Sequence, residues 1–251
     1  MEKLTAIIPT FNEEDNIQRA IDSVAFADEI IVIDSFSTDK TVALVNKNTN
    51  VILLQREFDD FSSQKNFAIS KATYNWILFL DADERLNDIV KEEIIFNLKN
   101  SKDKVAFSFN RNFYFMGKKI KYGGYSNNKV LRLFHKKFCK YNGNLVHEKI
   151  IAKGNVGYIK EPIHHFSYKS FKEHVLKVQS YKELQAIELF KKGKKATILQ
   201  IIIKPKSRFF IHYILRLGFL DGLVGFIIAL TQSYGIFIKY VTLYLLKKGK
   251  K

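Results

Sequence analysis

The sequence predicts an α/β fold with a mostly parallel sheet, followed by a basic, amphipathic helical tail. Three observations carry that prediction. Short apolar runs alternate with mixed polar and apolar stretches of helical spacing through the first third of the chain. Those apolar runs are continuous and not alternating, as strands buried on both faces are. From Lys191 onward, thirteen Lys and Arg stand against one acid, Asp221.

Strands are expected at 4–9, at 29–34 with its run Ile30-Ile31-Val32-Ile33, at 51–55 and at 76–80. Helices are expected between them at 13–24, 39–46 and 62–72, which makes a repeated βα pattern. In such sheets ligands sit at the carboxyl ends of the strands, where Thr10, Asp34 and Asp81 fall. A further helix is expected at 87–98, strand-like runs at 105–109 and 129–134, and helical spacing again at 168–192. Gly193, flanked by lysines, marks a boundary before the tail.

With 251 residues the chain suits one large domain with an appendage. Its 47% hydrophobic and 26% charged residues argue against wholesale disorder. The net charge of +16 is concentrated in the tail, leaving about +4 for the first 190 residues. The basic residues lie beside aliphatic runs and no nucleic-acid reader motif is present, so no nucleic-acid partner is expected. Cys139 is solitary, which excludes an intrachain disulfide, a zinc ribbon and a CxxC redox site. The N-terminus carries an acid at position 2 and lacks the long apolar region of a secretory signal, so a cytoplasmic location is expected.

The apolar stretch at 209–230 is interrupted by His212, Arg216 and Asp221 and weakened by glycines, which disfavours a membrane span. Lys204, Lys206, Arg208, Lys239 and the terminal lysines among aromatic and aliphatic residues suit helices lying on an anionic membrane surface. The expected location is therefore peripheral, on the inner face of the cytoplasmic membrane. A helical cap on the main domain is the alternative for this segment.

Asp81-Ala82-Asp83-Glu84 follows directly on the apolar strand 76–80, so its carboxylates are expected to emerge where a buried strand meets solvent. Magnesium or manganese would be held there, since hard cations take carboxylate and phosphate oxygens and a diphosphate leaving group needs neutralising.

Four segments in order give a specific resemblance: Ile7-Ile8-Pro9-Thr10-Phe11-Asn12-Glu13-Glu14, Val32-Ile33-Asp34-Ser35-Phe36-Ser37-Thr38-Asp39, Gln64-Lys65-Asn66-Phe67-Ala68, and the run from Trp76 to Glu84. The chain resembles a family 2 glycosyltransferase of the GT-A type, a Rossmann-like nucleotide-sugar-binding fold. The resemblance implies that Pro9, Thr10 and Glu13 lie along the nucleotide and that Asp34 contacts the base. It places Lys65 near base or phosphate, and Asp81 and Asp83 at ribose and metal. Glu13 at a helix start, Asp34 as a turn cap and Lys65 as a solvated charge are the alternative readings. Phe36 stands where the family pattern usually has Gly, so a positive φ there would strain it.

Later segments, Lys129-Val130-Leu131-Arg132-Leu133-Phe134, Val146-His147-Glu148, His165-Phe166-Ser167-Tyr168 and Gly218-Phe219-Leu220-Asp221-Gly222, resemble bacterial lipopolysaccharide inner-core β-1,4-glucosyltransferases. That resemblance implies a UDP-sugar donor, a hexose (glucose) transferred with inversion, and a lipid-linked core oligosaccharide acceptor. Residues 1–192 would be the catalytic domain, with a donor half at 1–100 and an acceptor half at 101–192, and 193–251 the tail. Glu148 is the candidate general base, because inversion needs a carboxylate opposite the leaving diphosphate. His165 is expected to complete the metal shell, with His164 as the alternative. Arg132 and His147 are candidates for lining the acceptor or phosphate pocket. Membrane polysaccharide synthases of the same superfamily are disfavoured because their Gln-x-x-Arg-Trp motif cannot occur where Trp76 is the sole Trp. A polyprenyl-phosphate glycosyltransferase is the enzymatic alternative, and a basic nucleic-acid-binding module the non-enzymatic one.

Overall fold

The computed structural model describes residues 2–101, 103–125, 128–142, 149–168 and 170–249, without the side chain of Phe61. Glu148 and His147 lie outside the described residues. Two compact units are present: residues 1–111 with 129–165, and residues 112–128 with 166–251. The expected division at residue 192/193 falls inside the second unit, because the helices on either side of it both pack on a third.

In the first unit, β1 (Leu4–Thr10), β2 (Glu29–Asp34), β3 (Val51–Gln55) and β4 (Trp76–Phe79) run parallel in the order β3-β2-β1-β4. The parallel run ends at β4. β8 (Lys129–His135) pairs antiparallel with β4, and β6 (Lys104–Phe115) antiparallel with β8. Beyond β6 come β11 (Asn155–Tyr168) and the short β5 (Glu84–Arg85). β7 (Lys118–Ile120) forms a hairpin with the end of β6, and β9 (Cys139–Tyr141) pairs with β10 (Ile150–Ala152).

The unbroken apolar strands explain the two-sided core. Side chains alternate along a strand, so Ala6, Ile8, Val32 and Leu78 enter one cluster while Ile7, Ile31, Ile33 and Ile77 enter another. The first is covered by Ile17, Ala20 and Ile21 of α1 (Ile17–Ser23) and by Val90, Ile94 and Leu98 of α4 (Asp88–Lys99). The second receives Ala68 and Ile69 from α3 (Phe61–Lys71). Each fully buried Ile or Phe contributes about 1.5–3 kcal/mol relative to exposure. α2 (Thr41–Val45) is a short connection. Asp60 caps α3 by accepting from Ser63 N, and Asn87 caps α4 through Val90 N. α1 begins later than the expected residue 13, because the Glu13 carbonyl is taken by a turn to the Asn16 and Ile17 amides.

The second unit is helical. α5 (Phe171–Lys191) starts at a Ser170 cap, and α6 (Ile198–Phe210) at a capping box of Thr197 and Gln200. A π-helical turn (Ile211–Leu215) and a 3-10 turn (Gly218–Asp221) lead into α7 (Gly222–Lys247). The apolar stretch at 209–230, expected to be interrupted, is broken, with Leu217 and Gly222 at φ 57° and 67° at the breaks. α7 packs against both α5 and α6. On the α5 side Thr231 meets His174 at 2.7 Å, and Gly235 leaves no room for a methyl group beside Val178. Asp221 is buried and accepts from the Lys121 and Tyr122 amides.

Candidate active site

The site lies in the first unit, where parallel strands end. Thr10 pairs with Asp34 at the last register position of β1 and β2, and Asp81 follows β4 two residues beyond Phe79, itself paired with Ile7. Thr10 is buried and its Oγ1 has no partner among the described residues. That orphaned hydroxyl is a polar atom for a ligand to meet, because an unsatisfied buried group otherwise costs about 1–3 kcal/mol. Pro9 is half-buried beside it.

Asp34 is fully buried and both its oxygens accept. The Ser37 amide (2.9 Å) and Gln55 Nε2 (3.1 Å) donate to Oδ2, and the Ser37 hydroxyl to Oδ1. Asp34 therefore caps its own turn, whatever else it contacts. That turn carries Phe36 in the left-handed region at φ 59°, half exposed at 50%. The conformation costs a residue with a Cβ about 1–2 kcal/mol, and it is held by surrounding bonds. Asn12, also left-handed at φ 55°, donates from its amide to Ser37 Oγ at 2.8 Å and accepts from the Thr38 amide at 2.8 Å. The Glu13 carboxylate accepts from Asn16 Nδ2 at 2.7 Å, and its amide donates to Thr41 Oγ1.

At the end of β4 the carboxylates meet cations. Lys65 is buried, with its Nζ 4.0 Å from Asp81 and over the rings of Phe79 and Tyr141. It is no solvated surface charge. Arg132, on β8, donates to Asp81 Oδ2 and, at 2.7 Å, to Glu84 Oε1, to which Arg111 also donates at 3.1 Å. The Arg132 Nη2 thus lies between two acids of its own chain, at the strand end where the phosphate or acceptor pocket was expected. Burial alone would raise the Asp81 carboxyl, but Arg132, then Lys65, Arg111 and His165, hold it well below the usual carboxylate range. Burial pulls the Arg132 guanidinium down, and Asp81 and Glu84 outweigh it and push it up.

The acids are less open than the sequence implies. The Asp81 side chain is 30% exposed, whereas Asp83 and Glu84 are buried. β5 pairs with β11 so that His165 stands opposite Glu84, and His165 Nε2 lies 3.1 Å from Asp83 Oδ2. Of the two neighbouring histidines it is His165 that meets the acid, since adjacent strand residues face opposite sides. Among the described residues no three His, Cys, Asp or Glu converge as a metal cluster. The donor set at the Asp83–His165 pair, one carboxylate and one imidazole, fits a divalent cation that takes its remaining ligands from a phosphate.

Sequence reasoning named neither Glu84 nor Arg111 as site residues. Glu84 was visible as the fourth letter of the acidic run; Arg111, 27 residues away, had only its place as a charge in the interior of a strand that is apolar or neutral polar beyond Lys104.

A glycosyltransferase is the class that this sheet and its acidic strand end define. The sequence matches glycosyl transferase family 2 over residues 5–166, and the chain belongs to that family. It is 30% identical over 252 residues, 96% of this chain and 92% of the other, to the lipopolysaccharide core biosynthesis glycosyltransferase LpsC of Rhizobium meliloti. An uncharacterised glycosyltransferase of Rickettsia conorii is likewise 30% identical, over 96% of this chain and 90% of the other. A crystal structure of glucosyl-3-phosphoglycerate synthase from Mycobacterium tuberculosis with Mn2+, UDP and phosphoglyceric acid is 19% identical, with a TM-score of 0.39 over 45% of this chain and 43% of that one. At that level the likeness bears no weight on function.

Proposed function

We propose that this family 2 enzyme transfers a hexose, glucose, from a UDP-sugar to a lipopolysaccharide inner-core saccharide, with inversion and with Mg2+ or Mn2+. The observation that carries this reading is the strand-end cluster of Asp81, Asp83 and Glu84 with Lys65, Arg132 and His165 around it. The similarity to LpsC across nearly the whole chain supports the core-saccharide acceptor. Asp83 and His165 would hold the cation, which when bound neutralises the diphosphate as it leaves. Lys65 adds positive charge beside Asp81, on the side where the nucleotide would run past Pro9, Thr10, Glu13 and Asp34. Arg132 fixes the Asp81 carboxylate in one orientation, so its ordering is complete before donor arrives. Glu148 is the proposed base for the acceptor hydroxyl. The proposed location is the cytoplasmic face of the membrane that holds a lipid-linked acceptor.

A turnover screen across UDP, GDP and CMP sugars, with core saccharide or polyprenyl phosphate as acceptor, tests the reading. UDP-glucose with core saccharide should give product in the presence of Mg2+ or Mn2+, and none with chelator. Transfer only to polyprenyl phosphate would replace the acceptor assignment. Glu148→Gln should lower kcat by about 10² to 10⁴ with donor affinity unchanged; a wild-type rate would remove Glu148 from the mechanism.

A further inference from the structure

The second unit holds all of the chain's net charge. It has twenty Lys and Arg against four acids, a net of +16, while the first unit has twenty-one of each sign. Its helices also leave apolar side chains uncovered. On α7 the exposed residues are Leu223, Phe226, Leu230, Tyr234 and Phe237, spaced by three or four positions and therefore on one stripe. On α6 they are Ile198, Leu199, Ile202, Ile203 and Phe210. Leu223 is 73% and Leu199 65% exposed. The two sets adjoin, because Phe226 stands 5.8 Å from Phe209 at the end of α6 and 5.6 Å from Tyr213. A soluble monomer rarely exposes so many large apolar side chains on two adjoining helices.

We infer that α6 and the exposed stripe of α7 seat this unit in the plane of an anionic phospholipid leaflet, without crossing it. Charge selects the occupant. Lys204, Lys206 and Arg208 lie between Ile203 and Phe210 on α6, and Lys191, Lys192, Lys194 and Lys195 precede that helix. An anionic leaflet attracts such a surface, whereas a second copy would bring +16 against +16. The helix α7, 26 residues or about 39 Å, is long and apolar enough to cross a bilayer. However, 39% of its apolar window is already buried within the protein. α5 takes one side through Thr231 and Gly235, and α6 another, where Ser233 donates to the Pro205 carbonyl at 2.8 Å. Only a stripe is left for lipid, which is the geometry of a helix lying in the interface. This inference builds on the proposed membrane-face location but not on the transfer chemistry, because lipid binding is read without donor or acceptor.

The test is flotation of the unaltered full chain with vesicles of phosphatidylcholine and phosphatidylglycerol in equal parts, then with phosphatidylcholine alone. Binding should require the anionic lipid and weaken steeply with salt. Lys204→Glu with Lys206→Glu should weaken it at least about tenfold while donor turnover in solution is unchanged. Environment-sensitive labels on single cysteines at Leu199, Leu223 and Phe237, in a Cys139→Ser background, should all report the same shallow depth. A label at Phe96, 66% exposed in the first unit, should not change. Labels at Leu223 and Phe237 at opposite depths would mean that α7 spans and would overturn the inference. So would absent flotation of the unaltered chain, or burial of the labels by self-association without lipid. Loss of transfer with intact flotation would instead count against the catalytic reading alone.

Discussion

The two units handle charge in opposite ways. In the first, the acids and bases at the strand ends are paired inside the protein: Arg132 with Asp81 and Glu84, Arg111 with Glu84, Lys65 near Asp81. In the second, the basic residues greatly outnumber the acids, and its best-buried acid, Asp221, binds backbone amides instead. Paired, buried charges are fixed in direction and can recognise a ligand of definite shape. Unpaired charges on helices have sign without fixed direction, which suits an extended surface.

Removing one member of the buried network should break this contrast most. Arg132→Met leaves Glu84, which is fully buried, with one cation fewer, and should destabilise the protein by about 3–5 kcal/mol in urea unfolding. Arg132→Lys should fall between, since one ammonium cannot reproduce the guanidinium fork. A cost under about 1 kcal/mol would mean that the first unit's charges are no more committed than those of the second. Next in size, Asp83→Ala should lower metal-supported donor turnover by about 10² to 10³, measured with Mn2+ and Mg2+, while unfolding changes less than for Arg132→Met. Full activity of that variant in chelator would leave no metal role for Asp83.

A pH titration sharpens the comparison from the second unit's side. Burial, aided by Lys177, pulls His174 down to about 4 from 6.5, so the folded state keeps it neutral. As pH falls below 6.5 the unfolded chain takes up a proton that the folded chain refuses. The stabilisation is therefore complete above 6.5 and is lost down to about 4. The melting temperature should fall by several degrees across that window beyond the trend of a His174→Asn variant. The smallest effect is expected at Phe36→Gly, where relief of the left-handed strain is partly offset by a freer unfolded chain. Stability should rise by up to about 1 kcal/mol; a loss would show that the exposed ring is held by contacts.

Most of the first unit was legible because continuous apolar runs such as Ile30-Ile31-Val32-Ile33 leave one solution, a strand covered on both faces. The left-handed residue at Phe36 was legible as a misfit of residue type to position. The burial of Lys65 was not, since its reason is Tyr141, distant in sequence and brought near only by folding. The partners of Arg132 were hidden for the same cause: its acids are 48 and 51 residues away, and nothing local says that a strand arginine will face them. The 209–230 stretch was read correctly as interrupted, but glycine content alone does not say where α6 ends and α7 begins.

The chain visits the second unit twice, and this sets an order of events during synthesis. The β6–β7 hairpin presents Phe113, Phe115 and Ile120, whose cluster is completed by Ile228 of α7. The Lys121 amide waits for a carboxylate 100 residues further on. At about 5–20 residues per second, the ribosome delivers that partner roughly 5–20 s after the hairpin emerges. For that interval the apolar face of the hairpin has no cover from α7, while the first unit still awaits residues 129–165. It is a window for chaperones, and the point at which a stalled or truncated product would aggregate first.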